Sequence, residues 1–126
     1  MPLEELDVRT NEMVQLATAY ADTLRDLKIA RLSIETLNAL RGSTVVSQLE
    51  IQIAQINVRI AESKLSILRA IAEKQLAAAK AKLEILEQME RVGEKAAADA
   101  PRSSNRIQIA QVQATIDILQ MILDLR

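Results

Sequence analysis

The sequence of 126 residues has no cysteine, no histidine, no tryptophan and no phenylalanine. Its one aromatic residue is Tyr20. Without cysteine there is no disulfide framework and no thiolate metal site. Without histidine, the imidazole-based triads and zinc sites are excluded. Two glycines and two prolines are too few for a fold with many turns, so a small number of long elements is expected. Neither glycine lies in a phosphate-cradling pattern. No apolar run approaches the roughly 18 residues of a membrane span. The acidic start MPLEELDVRTNE lacks the apolar stretch of a secretory signal. A soluble chain is expected, in the cytoplasm or as part of a larger particle. Charge of one sign is also missing: 16 basic residues face 17 acidic ones. That balance gives no general attraction to nucleic acid or acidic lipid.

What is present is aliphatic. Hydrophobic residues make up 49 % of the chain, nearly all Ile, Leu, Val, Ala and Met, the material of close helix–helix seams. Apolar residues recur at threes and fours at Leu3, Leu6, Met13, Ala17, Tyr20, Leu24, Leu27, Ile34 and Leu37, which predicts a long first helix. Pro2 and the acids Glu4, Glu5 and Asp7 suit its start. Arg41 and Gly42 read as its basic last turn and terminal glycine. Ser43 and Thr44 can cap a second helix, and Ser47 with Glu50 has capping-box spacing. Pro101 and the Ser-Ser-Asn cluster after it read as a loop. Helices are therefore expected over about 3–41, 45–92 and 106–125, with a loop over 93–105, in one helical domain spanning 1–126.

The word IQIAQ occurs at Ile51–Gln55 and again at Ile107–Gln111. Its alternation looks like a strand, but the strand face breaks at Ile56, Val58 and Ile60 unless a bulge is added. Helical spacing accounts for every apolar residue. Leu49, Ile53, Ile56, Ile60 and Ile67 form one seam. Ile51, Ala54, Val58, Ala61, Leu65, Leu68, Ala72, Ala79, Leu83 and Leu86 form another. A helix with two seams needs covering on two sides, so the first half of the second helix should have at least two neighbours. In the third helix Ile109, Val112, Ile116, Leu119 and Leu123 keep one seam, while Asp117 and Asp124 interrupt the other. The two copies of the word are expected to share a packing environment, with no ligand role.

Chemistry is hard to find. Glu62, Glu73, Glu84, Glu87 and Glu90 fall mainly off the seams and read as solvated surface. Arg31 with Glu35 and Glu87 with Arg91 have ion-pair spacing. Lys64, Arg69, Lys74, Lys80, Lys82 and Arg91 are interspersed with acids, and no aromatics accompany them for stacking on bases. The stretch QLAAAKAKLEIL could coat a surface, but it lacks the aromatic anchors usual there. Tyr20 reads as a core residue with a wet hydroxyl.

The expectation is thus an all-α chain: an elongated antiparallel hairpin or three-helix bundle with coiled-coil-like seams, not an enzyme, with no cofactor and no metal. Apolar surface beyond what three helices cover marks an interface. The expected role is a structural subunit that assembles with itself or with another helical protein, for example in a filament, virion or secretion-type particle. Proposed interface residues are Leu49, Ile53, Ile56, Ile60 and Ile67 with Ile109, Val112, Ile116, Leu119 and Leu123. The alternatives are an adaptor or chaperone-like module holding a partner's amphipathic helix, and third an amphipathic surface coat. No nucleic-acid partner and no transmembrane segment are expected.

Overall fold

The computed structural model describes residues 3–42, 47–96 and 102–126, with side chains described for 10–42, 47–92 and 105–126. It is all-α, with helices α1 (Leu3–Ala39), α2 (Gln48–Ala96) and α3 (Arg102–Leu123) and no β-strand among the described residues. Ser43, Thr44, Val45 and Pro101 lie outside the described residues, as do Pro2 and the side chains of Leu3, Glu4, Glu5, Leu6 and Asp7.

The break after α1 has a backbone cause. Leu40 N–H donates to the Thr36 carbonyl at 3.1 Å, and Arg41 N–H donates to Asn38 at 3.1 Å. The second bond spans three residues rather than four, so the last turn tightens. Gly42 follows with φ 102°, a conformation that side-chain-bearing residues rarely adopt. A Cβ there would meet nothing within 4 Å, so the glycine serves the backbone and not the packing. α2 then starts at a cap: Glu50 N–H donates to Ser47 Oγ at 3.2 Å. This satisfies one of the orphan donors of the first turn. The helix therefore begins at Gln48, later than the Val45 expected.

The other junction departs further from expectation. α2 runs through Gly93 to Ala96, and α3 starts at Arg102, so Ser103, Ser104 and Asn105 are helical and not a loop. One interior glycine costs only ~1 kcal/mol, and the Glu94, Lys95 and Ala96 that follow are strong helix formers. A proline directly before a helix costs it no hydrogen bond. Polar residues after such a proline can thus be a first turn as readily as a loop.

The chain divides into two compact units: Leu16–Ala70 with Arg126, and α1 up to Gln15 with Ile71–Leu125. The first is a helical hairpin. Tyr20 meets Arg69 and Arg31 meets Glu62, so α1 and α2 run antiparallel within it. Its core is Leu16, Tyr20, Thr23 and Leu27 of α1 against Ile51, Ala54 and Ala61 of α2. The α1 residues are spaced four, three and four, a heptad stripe. Leu16 and Thr23 are absent from the stripe read in the sequence, which passes through the neighbouring Ala17 and Leu24. In the second unit, Leu86 of α2 packs with Val112 and Ile116 of α3, with Leu76, Ala79, Leu83 and Ile109 around them. Arg106 and Glu90, 3.2 Å apart, set the antiparallel register of that pair. Leu119 and Ala72 are also buried there, at 1 % and 0 % exposed.

Both copies of IQIAQ are helical, but their surroundings differ. Ile51 is 5 % exposed and Ile107 is 58 % exposed. The expectation of a shared environment is overturned: the same word meets the core with a different face in each helix. In the second copy Gln111 Oε1 is buried with no hydrogen-bond partner among the described residues.

Candidate interaction surface

The two seams of α2 are treated differently in the hairpin unit. Ile51, Ala54 and Ala61 are buried, and Val58, Leu65 and Leu68 are half-buried. α1 covers this seam. The other seam is open: Leu49, Ile53, Ile56, Ile60 and Ile67 are each 48–64 % exposed. Of the two neighbours expected for this half of α2, the hairpin unit supplies one.

α3 behaves in the opposite way. Val112, Ile116 and Leu119 are buried, and Ile109 and Leu123 are half-buried. These five residues face the chain's own core. Ile122, off the seam as read, is buried beside them at 3 % exposed. Asp117 and Asp124 are exposed, as the interrupted seam implied. Of the ten residues taken as an interface, only the α2 half remains as open apolar surface.

Beside the open seam, α1 and α2 frame a groove of about 320 Å³. Its lining includes three alanines, Ala30, Ala54 and Ala61, with the buried Thr23. Ile29 lines it from α1 and Ile60 from α2, with Asp26 and Lys64 likewise one from each helix. Ile29, at 58 % exposed, was not anticipated. The available signal was an isoleucine lying off the stripe that carries Tyr20 and Leu27.

Several charged groups outside the groove are engaged in structure. Arg31 Nη2 lies 3.6 Å from Glu62 Oε1, so this arginine reaches across to α2 and not along α1 to Glu35. Arg69 donates from Nε at 3.2 Å and from Nη2 at 3.1 Å to the Tyr20 hydroxyl. That hydroxyl is held by the guanidinium rather than simply wet. Asp22 and Arg25 form a further exposed pair at 3.5 Å. Among the described residues no three carboxylates gather into a possible metal site, and no helix is long and apolar enough to cross a membrane.

No protein-family model matches the chain, and comparison with curated proteins and with solved structures gives no match.

Proposed function

We propose that the protein is a non-enzymatic assembly subunit that associates with itself through the open seam of α2. One observation carries this reading. Leu49, Ile53, Ile56, Ile60 and Ile67 form an apolar stripe, interrupted only at Ser63, on the side of α2 that α1 leaves uncovered. Fully burying one such side chain is worth about 1.5–3 kcal/mol. Five aligned on one helix therefore favour a partner that fits a regular helical seam. The mixed charge around them, with no strong excess of either sign, leaves like copies free to approach.

Light scattering across a dilution series tests the reading. Particles larger than one chain, shrinking on dilution, are expected. Ile56→Asp should dissociate them while circular dichroism keeps its helical signal. Ile116→Asp is the contrast, because Ile116 is buried: helicity itself should fall. A chain that stays single at high concentration defeats the proposal. If such a chain instead captured an amphipathic helical peptide, the adaptor role would stand in its place.

A further inference from the structure

The hairpin unit has an unfinished side, and its chemistry is self-complementary. The groove between α1 and α2 is lined by the small side chains of Ala30, Ala54 and Ala61, with Ile29 and Ile60 beside them. Small residues admit a close neighbour, and the isoleucines are knobs of the size such hollows receive. Two cross-helix contacts define the level of each residue: Tyr20 with Arg69 and Arg31 with Glu62. Between them Asp26 and Lys64 fall at about one level, and Ile29 and Ile60 line the same groove within about a turn of it. Asp26 makes only a loose 3.9 Å approach to Arg25 Nε, and Lys64 makes no ion pair among the described residues.

We propose that this face is closed by the same face of a second copy. α1 of each hairpin lies on α2 of the other, about a two-fold axis parallel to the helices, giving a four-helix bundle. The proposal rests on the self-association reading and specifies its geometry. The symmetry follows from the charges. An axis along the helices keeps each level in register and exchanges α1 for α2, so Asp26 meets the partner's Lys64, and Lys64 meets the partner's Asp26. Ile29 and the partner's Ile60 meet in the same way, again twice. An axis across the helices would stack α1 on α1, setting Asp26 against the partner's α1 and not against its Lys64.

The cysteine-free chain allows a direct test. Ile29→Cys and Ile60→Cys are prepared as separate variants, mixed in equal amounts and oxidised. A disulfide-linked dimer should form in the mixture and not in either variant alone. A second arm uses charge. Asp26→Lys or Lys64→Asp alone should weaken association about tenfold, and combining them should restore it. These positions are exposed, so circular dichroism should show unchanged helicity. Cross-linking by either single variant alone, or association indifferent to both charge changes, overturns this geometry while leaving self-association standing. A native chain that remains single throughout overturns both.

Discussion

Tyr20 shows how much depends on one side chain in a chain with no other aromatic ring. It is 0 % exposed, and its hydroxyl accepts two hydrogen bonds from Arg69. The ring fills space between α1 and α2 that aliphatic side chains would fill less completely, while the hydroxyl gives the guanidinium a fixed partner. Tyr20→Phe keeps the ring and removes the acceptor, so it should cost about 1 kcal/mol in a urea melt, with helicity at zero denaturant unchanged. A cost near zero would mean that Arg69 is held by its other interactions. The ring's burial was legible from its spacing with Leu24 and Leu27. Its partner was not, because Arg69 lies 49 positions along the chain and nothing local links the two. Gln111 is the counter-example: a polar residue whose Oε1 is buried with no partner among the described residues, which spacing alone gives no reason to expect.

At the level of elements, caps and breaks decide where three long helices begin and end. The positive φ of Gly42 and the Ser47 cap lie five residues apart, and together they turn what would be one rod into a hairpin. Ser47→Ala leaves the Glu50 N–H without its acceptor and should cost about 1 kcal/mol, read as a lower thermal midpoint. Both signals were visible as residue types at the right spacing. The α2–α3 junction was less legible. Gly93 carries the same stop signal as Gly42, but it is followed by good helix formers, and propensity summed over a turn outweighs a single residue. The seams show a related limit. Periodicity identified two apolar stripes on α2, but a helix looks the same whichever stripe its neighbour covers. Only the fold shows that α1 covers Ile51 and Ala54 and leaves Ile53 and Ile56 open, and that the α3 seam is core.

For the molecule as a whole, an all-α fold of three helices followed from composition and periodicity, and the two units of α1 and α2 did not. α1 and α2 each run from one unit into the other without any change of residue type to mark the passage. The units also make the core and the open stripe separable by mutation. Leu119→Ala removes a buried side chain and should cost about 2–5 kcal/mol. Ile67→Ala, at a position 61 % exposed, should stay within about 0.5 kcal/mol in dilute solution. Urea melts at one low concentration compare them, and equal losses would contradict this assignment of core and open stripe. One consequence of the enclosed ring remains. With no tryptophan or phenylalanine beside it, Tyr20 is the chain's sole near-ultraviolet chromophore. Its optical activity there registers whether the hairpin is closed, while the far-ultraviolet registers all three helices, so a single spectrum separates opening of one unit from melting of the whole.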